Sequence, residues 1–94
     1  MAYVYMLSCD DGTLYVGSTR DLEARLYQHR TGMGSAYVRK RLPVELVYSC
    51  EVATIEEAYY LERRLHGWGR AKREALIAGR FDLLPALSKK RWST

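Results

Sequence analysis

The chain has 94 residues, of which 48% are hydrophobic, and it carries fifteen Lys and Arg against eleven Asp and Glu. That length fits one small domain spanning residues 1–94, and the hydrophobic content excludes a disordered chain. The net charge of +4 is explained either by surface charge that keeps the protein soluble or by a basic surface that attracts a polyanion, most often nucleic acid.

Neither the cysteines nor the N-terminus points to secretion or to a membrane. Cys9 and Cys50 form no metal-binding pattern, and two free thiols are typical of a reducing compartment. The first residues contain neither a basic start nor a long apolar run, so no signal peptide is expected. No stretch reaches the roughly 20 apolar residues of a membrane span. We therefore expect a cytoplasmic protein with no membrane partner.

Residues 3–18, "YVYMLSCDDGTLYVGS", predict a β-hairpin. A two-residue turn would point Tyr5 and Tyr15 to opposite faces of the hairpin. A three-residue loop, 10–12, with Gly12 in the left-handed region, would put both tyrosines on the same face. Two aspartates followed by a glycine favour the second register.

In this register Cys9 pairs with Thr13, and Tyr5 lies opposite Gly17. The glycine would then leave room for a ligand beside Tyr5. Tyrosine and valine are also common in half-buried strands, so packing alone is the alternative explanation of the repeated Tyr-Val pattern.

The segment "TRDLEARLYQHRTG" predicts a helix that is capped by Thr19 or Asp21 and ends at Gly32. Four of its residues fall within one narrow arc of the helical wheel, namely Leu22, Arg25, Leu26 and His29. An arginine and a histidine therefore share the helix face that should meet the sheet.

After this helix the pattern predicts a short second helix, capped by Ser35 and stopped before Pro43. Residues 44–52 read as a third strand, and residues 54–79 as a long helical region. Thr54 with Glu57 forms a capping box at its start. Glycines near Trp68 are expected to bend or break the region. Residues 80–94 predict a short amphipathic piece and a basic tail.

Glu62 breaks the pattern of the long helix. It falls in the middle of an apolar stripe formed by Ile55, Ala58, Leu61 and Leu65. A carboxylate that faces a core is costly unless it is paired. The structural explanation is an ion pair with a residue such as Arg25, and the functional explanation is a divalent cation.

Taken together, two tyrosine triplets, an Arg-x-x-x-His helix and a glutamate-bearing helix resemble the GIY-YIG nuclease family. "YVY" at 3–5 and "YVG" at 15–17 match its two triplets, and the resemblance covers nearly the whole chain. It is strongest to the short, single-domain branch, which is similar to the N-terminal nuclease domain of the excision-repair incision subunit. The resemblance implies an α+β fold with a three-stranded antiparallel sheet flanked by helices, in the order ββααβα. The elements read from the sequence follow the same order.

The activity implied is metal-dependent hydrolysis of a DNA phosphodiester, and five residues match the family's site. Tyr15 matches the tyrosine proposed as general base, and Tyr5 the tyrosine that orders the water or the phosphate. Arg25 matches the arginine that neutralises charge on the phosphate, and His29 the histidine that supports the phosphate or relays a proton. Glu62 matches the sole protein ligand of the metal, Mg²⁺ or Mn²⁺. The residues alone leave the base open among Tyr5, Tyr15 and His29.

The expected substrate is DNA, including branched or damaged DNA of the kind met in repair, with weak sequence specificity. Gly17 would allow the backbone to approach the substrate, and Ser18 stands where the excision-repair branch carries Lys. Further candidate phosphate contacts are Arg39, Lys40, Arg41, Arg70, Lys72, Arg73, Lys89, Lys90 and Arg91. Two alternatives remain, a nucleic-acid-binding module that has lost useful turnover and a nuclease subunit that needs a partner for DNA specificity.

Overall fold

The computed structural model of the chain describes residues 1–79. The chain divides into two compact units, residues 1–62 and residues 63–94, and the second is described as far as residue 79. The predicted amphipathic piece and the basic tail, with Lys89, Lys90 and Arg91, lie outside the described residues.

A three-stranded antiparallel sheet organises the first unit. Its strands are β1 (Ala2–Cys9), β2 (Leu14–Thr19) and β3 (Val44–Val52), in the spatial order β2-β1-β3. The central strand β1 is the most deeply buried of the three, because it pairs on both sides. The edge strand β2 brings the second tyrosine triplet to one margin of the sheet.

The predicted register of the β1–β2 hairpin is confirmed. Tyr5 lies opposite Gly17, and Leu7 lies opposite Tyr15. The backbone N–H of Cys9 donates to the carbonyl of Thr13 at 2.9 Å, and Gly12 has φ +88°. Because side chains alternate along a strand, the two tyrosines share one face of the sheet.

Two helices follow the hairpin, α1 (Leu22–Arg30) and α2 (Ala36–Arg39). The Asp21 carboxylate accepts a hydrogen bond from the N–H of Ala24 at 3.0 Å, and the Ser35 hydroxyl accepts one from Val38 at 3.2 Å. These side chains satisfy N–H groups that would otherwise lack a partner in the first turn. Both predicted caps are thus present.

The core on the tyrosine face is formed by Tyr5, Leu7 and Val38, all fully buried. Partly buried apolar residues from α1, the hairpin, the α2–β3 connection and β3 pack around it, namely Leu22, Leu26, Tyr15, Leu42, Val44 and Leu46. α1 contacts both α2 and β3. The core therefore fixes the first helix against the face that carries the tyrosines.

The long helical region is two helices, α3 (Ile55–His66) and α4 (Arg70–Ile77), separated at the predicted glycines. The capping box is present, because Glu57 N–H donates to the Thr54 hydroxyl at 3.1 Å and Thr54 N–H donates to the Glu57 carboxylate at 3.3 Å. The predicted α+β fold and its element order are confirmed, with the last helix divided. None of the described helices combines the length and apolar character needed to span a bilayer.

Candidate active site

A buried tyrosine–histidine pair forms the inner part of the site. Tyr5 on β1 is 0% exposed and His29 near the end of α1 is 1% exposed. The Tyr5 hydroxyl and His29 Nε2 are 2.9 Å apart, which is a hydrogen bond. His29 Nδ1 is also buried and finds no hydrogen-bond partner among the described residues. Neither ring presents a polar atom to bulk water.

Two glycines allow this pair to be enclosed. A Cβ atom at Gly17 would lie 2.5 Å from the Tyr5 hydroxyl, and one at Gly34 would overlap His29 Nδ1. The space that the sequence suggested for a ligand beside Gly17 is thus taken by the Tyr5 phenol itself. Any side chain at either position would displace one member of the pair.

Burial changes the acidity of both rings. It is the main cause that raises the pKa of Tyr5 to about 12, with the neighbouring Tyr15 adding to the effect and the charge of Arg25 opposing it. Burial, followed by the charge of Arg25, lowers the pKa of His29 below its usual value. At neutral pH the pair is therefore an uncharged phenol bonded to an uncharged imidazole.

Tyr15 forms the outer part of the site. Its ring centroid lies 6.4 Å from that of Tyr5 and 5.4 Å from that of His29, edge-on to the imidazole. On another side it meets Tyr37 of α2 at 5.7 Å. Tyr15 is only partly buried. Of the two family tyrosines, it is the one that a water molecule can reach.

Glu62, the suggested metal ligand, meets the edge strand. Its Oε1 accepts a hydrogen bond of 2.5 Å from the hydroxyl of Ser18. The carboxylate is partly buried, and its charge contributes to the raised pKa of Tyr5, after burial and Tyr15. Glu62 is therefore within electrostatic range of the tyrosine–histidine pair. Ser18 thus orients one oxygen of the carboxylate.

The donor set suits a hard cation that keeps most of its water. No group of three or more His, Cys, Asp or Glu residues within 1–79 could hold a metal ion. Mg²⁺ is commonly held by one or two carboxylates together with waters and substrate phosphates. A single carboxylate, oriented by Ser18 and partly exposed, fits that mode of binding and does not fit a zinc site.

The basic residues predicted to contact DNA differ in their surroundings. Arg39 and Lys40 are exposed at the end of α2. Arg41 is engaged within the protein, because its Nε pairs with the Asp11 carboxylate at 2.9 Å and its guanidinium lies 3.7 Å above the Tyr37 ring. In the first unit, Arg39 and Lys40 are thus the members of this run that face solvent.

The basic residues of α4 take part in contacts inside the second unit. Arg70 pairs with Glu74 at 2.7 Å, and Lys72 lies 4.4 Å from the centre of the Trp68 ring. Arg73 Nε donates to the carbonyl of Leu65 at 2.9 Å. Leu65 belongs to the last turn of α3, and its carbonyl also accepts from the N–H of Trp68 at 3.1 Å, so Arg73 adds a second donor at the end of that helix.

Sequence reasoning missed the roles of Gly34 and Tyr37. Both lie in a segment with few apolar residues, and their importance comes from rings that are distant in sequence. The one signal available was the pair of glycines in "TGMGSAY", which is denser than a simple helix end requires.

Comparisons with known proteins identify the family of the chain. The family model described as the GIY-YIG catalytic domain matches residues 1–75. The chain belongs to the GIY-YIG family. That family is one of endonucleases.

Relatives similar to this chain are short GIY-YIG proteins called UPF0213. One from Bacillus pumilus is 47% identical over 75 residues, which cover 80% of this chain and 76% of that protein. One from Streptococcus pneumoniae is 41% identical over 81 residues, which cover 86% of this chain and 82% of that protein. The solution NMR structure of a UPF0213 protein from Bacillus halodurans has a TM-score of 0.56 and 35% identity, and covers 100% of this chain and 99% of that one.

Proposed function

We propose that this GIY-YIG protein is a DNA endonuclease that hydrolyses phosphodiester bonds with a divalent metal, Mg²⁺ or Mn²⁺. The observation that carries the proposal is that a partly exposed Tyr15 lies beside a fully buried Tyr5–His29 pair. Partly exposed tyrosines also occur in ordinary strand packing, and the match of residues 1–75 to the GIY-YIG catalytic domain is what favours a chemical role for Tyr15.

Tyr15 takes the role of general base in this proposal. A base must reach the proton of the attacking water, directly or through one further water. Tyr5 and His29 are enclosed, and the hydroxyl of Tyr5 is already bonded to the imidazole. Arg25, whose charge acts on Tyr5 and His29, and a divalent cation held by Glu62 would supply positive charge beside the reacting groups.

Arg25 acts on the phosphate. It lies on the α1 face that meets the sheet, close enough for its charge to act on both Tyr5 and His29. A guanidinium held there neutralises the negative charge that grows on the phosphate oxygens during hydrolysis. The buried Tyr5–His29 pair lies beneath Tyr15 and Arg25 and supports their positions in the site.

Glu62 would hold the metal, with Ser18 fixing the orientation of its carboxylate. When bound, the metal supplies Lewis-acid stabilisation of the phosphate and favours ionisation of nearby acidic groups. The exposed Arg39 and Lys40 contribute contacts to the DNA backbone, which weaken as salt rises. No separate element for reading bases is evident in residues 1–79, so we propose weak sequence specificity.

Nicking of supercoiled plasmid with Mg²⁺ or Mn²⁺ tests the proposal, with Glu62→Gln as the inactive variant. Glu56→Gln is the matched control, because Glu56 lies exposed on the same helix. We expect nicking by the wild type and by Glu56→Gln, and none by Glu62→Gln. DNA binding should survive in all three proteins.

Thermal melts of the same proteins in chelator separate a metal ligand from a structural ion pair. Gln at position 62 keeps an oxygen for the Ser18 hydroxyl, so stability should be unchanged or rise by about 0.5–2 kcal/mol. Loss of one partner of a buried ion pair would instead cost roughly 3–5 kcal/mol. A large fall in melting temperature contradicts the metal assignment, and DNA binding without nicking by the wild type indicates a binding module.

A further inference from the structure

The aromatic cluster of the site extends beyond the residues assigned so far, to Tyr37 on α2. Tyr37 is 40% exposed, and its ring lies 5.7 Å from that of Tyr15, with an angle of 32° between the ring planes. On the inner side Tyr15 meets the enclosed rings of Tyr5 and His29. Tyr37 is thus the neighbour of Tyr15 that does not belong to the buried pair.

α2 alone is too short to hold a ring in place. It has four residues, and an isolated turn of helix has little stability of its own. The position of Tyr37 therefore depends on what fastens α2 to the rest of the first unit.

Val38 attaches α2 to the core, where it is fully buried, and Arg41 holds Tyr37 through three further contacts. Its guanidinium carbon lies 3.7 Å from the centre of the Tyr37 ring, within the range of a cation–π contact. Its Nη1 donates to the carbonyl of Tyr37 at 3.0 Å, and its Nε donates to the Asp11 carboxylate at 2.9 Å. The planar guanidinium makes all three contacts at once, which a lysine ammonium would not do.

Asp11 is itself fixed in the β1–β2 loop. Its Oδ1 accepts from the N–H of Thr13 at 3.0 Å and from the Thr13 hydroxyl at 2.7 Å. The backbone adds a further tie, since the N–H of Asp10 donates to the carbonyl of Arg41 at 3.0 Å. The loop that sets the tyrosine register thus also anchors α2.

We propose that Tyr37 is a positioning residue for Tyr15, and that Asp11 and Arg41 hold Tyr37 against the Tyr15 ring. This inference rests on the proposed function of Tyr15. Tyr37 limits the orientations open to the Tyr15 ring on its outer side, as Tyr5 and His29 do on the inner side. Arg41 serves this clamp, in place of the DNA contact that the charge run Arg39–Arg41 suggests.

The first test is kinetic and uses single-turnover cleavage. Tyr37→Ala should lower the rate constant by about tenfold to a hundredfold, the scale of loss for a misplaced reacting group, with little change in DNA affinity. Tyr37→Phe, which keeps the ring, should restore most of the rate. Tyr59→Ala is the matched control, because Tyr59 is 52% exposed on α3. A rise in the dissociation constant for DNA without a loss of rate would overturn the proposal and make Tyr37 a DNA contact.

A double-mutant cycle asks whether Tyr37 acts through Tyr15. If it does, Tyr37→Ala adds little to the loss already caused by Tyr15→Phe. Independent, multiplying losses would overturn the proposal.

The second test does not need activity. Asp11→Asn keeps an oxygen for Thr13 but removes the charge that holds Arg41, and it deletes no aromatic ring. With ring-labelled tyrosine, the NMR resonances of Tyr15 should move or broaden in Asp11→Asn, while those of Tyr59 stay in place. Tyr15→Phe assigns the signal. Unchanged Tyr15 resonances overturn the inference whether or not the wild type cleaves DNA, and a wild type that cleaves nothing counts against the proposed function alone.

Discussion

Tyr5 and Tyr15 come from paired strands of one hairpin, with ring centroids 6.4 Å apart, but their environments differ. Tyr5 has no exposed surface, its hydroxyl is bonded to His29, and Gly17 lies against it. Tyr15 is partly exposed, and within residues 1–79 its ring lies against the rings of Tyr5, His29 and Tyr37. Two identical side chains therefore differ in their environments, through burial and through the groups that each one contacts.

This contrast separates stability from chemistry within one small site. Substitutions on the buried side, at Tyr5 or His29, should lower the stability of the fold, and cleavage should fall as a consequence. The open side, Tyr15 with Ser18 and Glu62, should affect cleavage with little effect on folding. Substitutions on each side test whether stability and cleavage depend on different residues.

The largest effect on the buried side is expected from Gly34→Ala. The new Cβ would overlap His29 Nδ1, so the imidazole must shift and the bond to Tyr5 must lengthen or break. Overpacking of this kind costs about 1–3 kcal/mol of unfolding free energy, and cleavage should fall with it. Urea denaturation measures the loss. Gly69→Ala is the control, because nothing lies within 4 Å of a Cβ there; equal stabilities would show that the pair is not tightly enclosed.

On the open side, Ser18→Ala should reduce activity without destabilising the protein. It removes the donor to Glu62 Oε1, and groups that orient a metal ligand typically contribute about 10–100-fold to metal affinity or activity. Titration of cleavage against Mg²⁺ measures the shift, and Ser18→Thr, which keeps the hydroxyl, should restore the wild-type curve. A fall in melting temperature with an unchanged Mg²⁺ titration would show that Ser18 stabilises the fold and does not orient a metal ligand.

The smallest effect expected is a dependence of stability on acidity that comes from His29. Because its pKa is held below the ordinary 6.5, the unfolded chain binds a proton where the folded chain does not. The contribution of His29 to the free energy of unfolding is therefore fully present above about pH 6.5. It falls as the pH drops below that value, by at most about 1.4 kcal/mol per pH unit, until the pH reaches the pKa of His29 in the folded protein. Denaturation between pH 5 and pH 8 should show this slope in the wild type. His29→Gln should lack it, and an equal slope there would assign the effect to other groups.

Local chemistry explains which parts of the fold were predictable from the sequence. The loop 10–12 fixes the hairpin register through the left-handed Gly12, and the caps Asp21 and Ser35 mark the helix starts. These features depend on neighbours within a few residues. The same is true of the face of α1 that carries Arg25 and His29, which follows from helical periodicity.

The features that could not be predicted join segments far apart in the chain. The fit of Gly34 against His29, the bond from Ser18 to Glu62 and the clamp of Arg41 on Tyr37 and Asp11 all depend on how α2 and α3 pack. Arg41 illustrates the difficulty, because a run of basic residues contains no signal that one member turns inward. The family resemblance suggested the site residues. The structure adds that Tyr5 and His29 are buried, whereas Tyr15 and Glu62 are partly exposed.

One paired measurement tests the central claim most directly: the single-turnover rate of DNA cleavage and the unfolding free energy of Tyr15→Phe and Tyr5→Phe. We predict that Tyr15→Phe loses about 10²–10⁴-fold in rate, as for loss of a general base, with its unfolding free energy unchanged. Tyr5→Phe leaves His29 Nε2 buried without its partner and should lose about 1–3 kcal/mol of stability, with a smaller loss of rate. Near-normal cleavage by a fully folded Tyr15→Phe protein, together with abolished cleavage by a stable Tyr5→Phe protein, would contradict the account and move the base to the buried pair.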